Sequence, residues 1–347
     1  MIASTPPFTR KLRWVHSNGS DVNSIPANPP WFGLILSALV SWHVDAQVPI
    51  GVMPPADDPA ANRVTVPFVT VRSIEQDEKA LRYYAQGRGD VSAGDCTVDL
   101  DAKKRAQILG LEARTLDEVL DRVAESSGNV AVYVHGYSVT FEQACRDAAL
   151  LQERVGLEGR LLFFSWPANG KASNYLRDVG DLEWSVVPLT NLLLTLIDRF
   201  GSQNIDVLGH SLGARAVLDA VAAQSEARGG ADVLGRLILI APDVDSDIFR
   251  RDFANFGSLA SAVTVYVSGE DRALKASRRV SGEPRLGEGD LDLSALAGID
   301  VVDVVQPRWT WKTGHAYHLE NEAVADDLRA TLSGAPRTTG SRMIIGR

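Results

Sequence analysis

A serine flanked by glycines, two aspartates and two closely spaced histidines follow one another in the second half of the chain. They are Ser211 in GHSLG, Asp243 in IAPDVD, Asp271 in VSGEDRAL, and His315 and His318 in KTGHAYHLE. A serine hydroxyl is a weak nucleophile at neutral pH, so an imidazole must accept its proton. A carboxylate must then fix the imidazole's tautomer and stabilise its charged form. The order serine, acid, histidine supplies these groups. Ser211 is read as the nucleophile and Asp271 as the acid, with Asp243 as the alternative acid one strand earlier. His315, preceded by Gly314, is read as the base in preference to His318. An anionic tetrahedral intermediate also needs N–H donors already aimed at it, each worth about 3 kcal/mol in the barrier. The Leu212 N–H, at the start of a helix, is one candidate. The Tyr137 N–H, in the loop after VYVHG, is the simplest second.

Such groups must be held by strands that end at one edge of a sheet. From residue 129 onward, apolar runs alternate with helical patterns: NVAVYVHG, RLLFFSWP, NIDVLGHS, RLILIAPD, AVTVYVSGED and IDVVDVV are strands with helices between them. Continuous apolar runs of this kind suit parallel strands buried on both faces. The alternation predicts a mainly parallel, doubly wound sheet with helices on both faces, and sites in such sheets collect at the carboxyl ends of the strands. Residues 64–73 and 94–100 read as strands that give the sheet an antiparallel start, and 102–126 as a broken helix. The segment 165–186 leaves a strand at the catalytic edge and reads as a lid or cap. His135, Ser165, Trp166, Tyr175 and Asp178 are candidates to line a substrate pocket beneath it, with Trp166 and Trp184 as core anchors in the other reading. His135 is expected to shape the loop carrying Tyr137 and His210 to pack beside Ser211.

The pieces VYVHGY, FFSWPANG followed by Tyr175 and Asp178, VLGHSLG, LILIAPDVD, VTVYVSGEDRALKASRRV and GHAYH together resemble the α/β-hydrolase superfamily across residues 64–332. More narrowly, the chain resembles a bacterial esterase- and lipase-like branch described as a domain of unknown function. The resemblance implies an α/β-hydrolase fold and a Ser-Asp-His hydrolase of carboxylic esters that needs no cofactor. It names no substrate. A thioesterase or peptidase uses the same triad, and a non-catalytic binding module on the same scaffold is the reading from a different class.

Composition bounds the rest. A net charge of −9, without runs of Lys and Arg, argues against nucleic acid as a partner. The expected partner is a small-molecule or lipid ester. The two cysteines, Cys96 and Cys145, form no CxxC, so no metal site is written; a single bridge between them is open if the protein is exported. Residues 1–63 read as a leader, 64–332 as one catalytic domain and 333–347 as a flexible tail. Within the leader, WFGLILSALVSW follows Arg10, Lys11 and Arg13 and precedes the small residues around Ala46. This pattern reads as a signal segment and points to a periplasmic or secreted protein; a packing helix in a cytoplasmic protein is the alternative. The apolar core of that stretch is too short to span a bilayer comfortably, so no integral membrane span is expected. Oligomeric state and acyl preference are not written in these patterns.

Overall fold

The computed structural model describes residues 63–346 except 78–81, 101–105, 172–173, 231–232, 257, 290–297, 307–313 and 336–341. The leader and its signal-like stretch lie outside the described residues, apart from Arg63. The first strands, β1 (Arg63–Asp77), β2 (Arg82–Leu100) and β3 (Ala106–Arg114), precede α1 (Leu116–Ala124). Strands and helices then alternate: β4 (Val130–Val134), α2 (Phe141–Val155), β5 (Leu161–Ser165), α3 (Tyr175–Phe200), β6 (Ile205–His210), α4 (Leu212–Ala227), β7 (Leu234–Ile240) and α5 (Ser246–Phe256). Next come β8 (Ala260–Val267), α6 (Arg272–Ser281), β9 (Ile299–Val304), α7 (Tyr317–Glu320), α8 (Glu322–Leu332) and β10 (Arg342–Ile345).

Among the described residues, ten strands form one sheet in the order β10-β9-β8-β7-β6-β4-β5-β1-β2-β3. Pairing is parallel from β10 to β1 and antiparallel from β1 to β3. Central strands such as β4 are buried at every position. Alternate side chains point to opposite faces: Ala131 and Tyr133 join the core with α2, α7 and α8, while α4 packs on α3 and α5 and against β4 and β6. Helix ends are satisfied locally. Thr115 and Glu118 form a capping box on α1, Thr140 caps α2, and Gly156 closes α2 at a φ of 71°. Pro188 sits inside α3 without ending it.

Two expectations are corrected. The first half of the predicted helix over 102–126 holds β3, because Ile108 and Leu111 bury their side chains when the segment pairs with β2. Cross-strand pairing here overrides a pattern that also fits a helix. The expected flexible tail also contributes structure, since β10 pairs in parallel with β9 at the sheet edge. Cys96 of β2 and Cys145 of α2 are fully buried and joined as a disulfide, with Cα atoms 6.3 Å apart. No helix among the described residues is long and apolar enough to cross a membrane.

Candidate active site

Ser211 stands between β6 and α4 at φ 55° and ψ −124°. The glycines around it are required by contact. A Cβ at Gly209 would lie 2.5 Å from the Ala214 Cα, and one at Gly213 would strike the carbonyl oxygens of Val134 and His135. The helix therefore starts hard against two strands, which forces the turn. Ser211 N–H donates to Ile240 O at 3.0 Å, and Ser211 O accepts from the N–H groups of Ala214 and Asp243 at 3.1 Å each. Three non-glycine residues among those described have positive φ: Ser138, Ser211 and Ala241. They follow β4, β6 and β7, so backbone strain is collected at the carboxyl edge of the sheet. Such strain persists only where the surroundings hold it, and it clusters at functional sites.

His315 Nδ1 lies 2.6 Å from Asp271 Oδ2. A carboxylate only accepts, so Nδ1 carries the hydrogen and Nε2 presents its lone pair. Asp271 is fully buried. Its other oxygen accepts from Ala273 and Leu274 N–H at 2.9 and 3.0 Å, capping α6. His315 is brought beside the turn at Ser211 by His210, whose ring centroid is 4.7 Å from that of His315 and whose Nε2 is 3.2 Å from His315 O. Gly136 closes the other side, because a Cβ there would lie 2.8 Å from the Ser211 Cβ.

Asp243 is occupied differently. Ser277 Oγ and Tyr175 Oη donate to it at 2.7 and 3.1 Å. Arg285 Nε is 3.4 Å away, an ion pair without a hydrogen bond. Asp245, not Asp243, caps α5 through the N–H groups of Asp247 and Ile248. His318 is buried under the site, with Nε2 3.2 Å from Tyr133 Oη and its ring 4.4 Å from that of His210. Burial, reinforced by His315, pushes the His318 imidazole down to about 3.

The expected pocket residues separate into two groups. Tyr175 is half-buried and meets the half-buried Tyr137, the expected oxyanion-site residue, edge to face, with centroids 5.5 Å apart. His135, Ser165, Trp166 and Asp178 are essentially fully buried, so they are not walls of an open cleft. Trp166 stacks on His135 and donates to its carbonyl at 2.8 Å. His135 Nδ1 is 2.8 Å from Gly136 O and Nε2 is 3.3 Å from Ser165 Oγ. Burial and the nearby Arg72 cation hold His135 at about 3, so it is neutral, with Nδ1–H donating to the carbonyl. Asp178 accepts from Ser138 and Asn169 N–H at 2.9 and 2.8 Å; burial raises its carboxyl above the ordinary range while both N–H groups oppose that rise.

Sequence reasoning missed Arg72. The signal was available: an arginine continues the inward register of Val66, Phe68 and Thr70. The described part of segment 165–186 runs from the end of β5 into the first turns of α3, which lean on the β1–β2 hairpin. Arg88 pairs with Asp181 at 2.7 Å and stacks over Trp184, and Arg177 donates to Gln86 O at 3.1 Å. A cavity of about 340 Å³ lies elsewhere, with Asn129, Gln203, Arg236 and Asp300 in its lining at the amino ends of the strands, opposite the edge where ligands gather in such sheets. No cluster suited to a metal ion occurs among the described residues.

The sequence model of a family described as "alpha/beta hydrolase of unknown function (DUF900)" matches residues 112–334, more than half of the chain. The chain belongs to this family. No curated protein matches the sequence. Among solved structures, this alpha/beta hydrolase is similar to a cold-adapted esterase from an Arctic intertidal metagenomic library, at 12% identity and a TM-score of 0.39, covering 81% of this chain and 100% of the other. It is also similar to esterases of Rhizomucor miehei, at 12% identity and a TM-score of 0.34 over 70% of this chain and 79% of the other. The NocB thioesterase domain of the nocardicin cluster matches at 16% identity and a TM-score of 0.33, over 61% of this chain and 96% of that domain. At these values the family match, rather than the neighbours, carries the assignment.

Proposed function

We propose that this alpha/beta hydrolase cleaves carboxylic esters through an acyl-enzyme formed on Ser211. The observation that carries the reading is the 2.6 Å contact between His315 and the buried Asp271, beside a serine held on a strained strand-to-helix turn. His315 Nε2 takes the Ser211 proton as Oγ attacks the acyl carbon, and Asp271 stabilises the imidazolium that results. The Leu212 and Tyr137 N–H groups receive the negative charge that develops on the acyl oxygen. His315 then protonates the departing alcohol. Water, deprotonated by the same imidazole, releases the acid.

The reading expects covalent labelling of Ser211 by a fluorophosphonate and a burst of product from an activated short-chain ester. Ser211→Ala should abolish labelling and lower kcat by about 10⁶-fold. Unchanged hydrolysis of p-nitrophenyl esters by that variant sinks the assignment. Matched oxyester, thioester and amide substrates identify the acyl class; turnover confined to thioesters or amides replaces the ester reading.

A further inference from the structure

Arg72 is fully buried on β1, a strand outside the matched range 112–334. Its Nε donates to Ser165 Oγ at 2.9 Å, Nη1 to Ala168 O at 3.0 Å and Nη2 to Val139 O at 2.7 Å, with His135 Nε2 3.5 Å from Nη2. All of these partners are neutral. Burial pushes the guanidinium down to about 9, where it is still cationic at neutral pH. Burying a charge without an opposite charge at contact costs several kcal/mol unless dipoles surround it. Such an arrangement calls for a reason beyond packing.

The reason lies in what the dipoles belong to. Val139 is in the loop after β4, and Ala168 is in the loop after β5. Asp178 binds the same two loops with the opposite polarity, taking one N–H from Ser138 and one from Asn169. A buried cation thus takes a carbonyl from each loop, and a buried carboxylate takes an N–H from each. Tyr137 immediately precedes these tied points, and Ser138 follows it at a φ of 59°. Ser165 passes the tie on to His135, whose Nδ1–H fixes the Gly136 carbonyl. The Gly136–Tyr137 peptide is therefore held from both sides.

We propose that Arg72 and Asp178 are positioning residues that preform the oxyanion site by fixing the orientation of the Tyr137 N–H. The N-terminal hairpin is then part of the catalytic apparatus. An N–H already aimed at the developing oxyanion costs no reorganisation during reaction, whereas a free loop would have to pay it. This inference rests on the acyl-enzyme reading of Ser211.

The test compares Arg72→Met, Arg72→Lys and Asp178→Asn with wild type, with rates expressed per fluorophosphonate-titrated site. Arg72→Met should lose about 100-fold in kcat with little change in KM, the size expected for one oxyanion donor. Affinity for a medium-chain trifluoromethyl ketone, which forms an oxyanion on Ser211, should fall by a similar factor. Arg72→Lys keeps the charge but not the fork and should recover part of the rate; Asp178→Asn should show the same split between kcat and KM. Arg236→Gln, which breaks the 3.0 Å pair with buried Asp206 at the other end of the sheet, should lower Tm and leave kcat unchanged. Absence of wild-type labelling at Ser211 overturns the acyl-enzyme reading and this proposal with it. Full labelling with wild-type kcat and ketone affinity in the variants overturns the positioning role alone, whatever their Tm. Should Arg72→Met not fold, the Lys and Asp178→Asn variants decide on the same criteria.

Discussion

Asp271 and Asp243 end neighbouring strands and differ in what their oxygens hold. Asp271 divides its carboxylate between the α6 amides and His315. Asp243 gives both oxygens to Ser277 and Tyr175, with Arg285 alongside. Under the proposed mechanism, Asp271→Asn leaves the imidazole in the wrong tautomer and should cost about 10⁴-fold in kcat with the fold intact. Asp243→Asn should cost far less in kcat, its effect falling on stability and on the seat of Tyr175 at the start of α3. Steady-state kinetics on both variants, with circular dichroism to confirm folding, check the ranking. The reverse ranking moves the acid to Asp243.

At the scale of elements, the β1–β2 hairpin is tied to the rest of the sheet in more than one way. It supplies Arg72, it braces α3 through Arg88 and Gln86, and the disulfide joins β2 to α2. The bridge closes a sequence separation of 49 residues, which by loop entropy stabilises the folded chain by about 4 kcal/mol. A Cys96→Ser, Cys145→Ser double variant should therefore melt roughly 10 °C lower, with kcat per titrated site retained below its Tm. Calorimetry with and without reductant checks this, since reductant should lower the Tm of the wild type and leave that of the double variant unmoved. By contrast, the Arg88–Asp181 pair has a half-exposed arginine, and Arg88→Ala should cost under about 1 kcal/mol.

Across the whole molecule, acid is the weak point. Burial holds His135 and His318 at about 3 and pushes His210 well below its ordinary value. Each folded value lies under the unfolded value of about 6.5, so the unfolded chain binds more protons as pH falls. Stability from these groups is lost from about pH 6.5 down to about 3, at about 2 kcal/mol for each of His135 and His318 between pH 7 and 5. Burial moves the carboxyl of Asp147 the other way, up to about 7, and its gain on acidification offsets part of the loss. A variant comparison isolates one group. His318 is faced by Tyr133, His210 and His315, and in His318→Gln the stability difference from wild type should shift in the variant's favour by about 2 kcal/mol between pH 7 and 5. Urea unfolding at the two pH values measures it. An unchanged difference would show that His318 does not stay neutral in the fold.

The sequence alone determined the elements whose signals are local. Gly209, Ser211 and Gly213 are legible because the spacing that permits the turn is written within five residues, although contacts with Val134 and His135 hold it in place. The strands around VAVYV and RLILI are legible because burial on both faces demands unbroken apolar runs. Tertiary structure decided whatever depends on distant segments meeting. Asp271 and Asp243 both lie beyond strand ends, and only in the folded chain does His315 meet Asp271 rather than Asp243. Ser165, Trp166 and His135 sit where pocket residues belong. They are buried instead because β1, nearly a hundred residues before Ser165, inserts beside β5 and brings Arg72 beneath them. The segment of β3 fits a helical pattern until β2 offers it a partner, and β10 becomes a strand only against β9. The glycines that permit a turn are written in local sequence, whereas strand pairing, burial and the pairing of charges are set by neighbours in space.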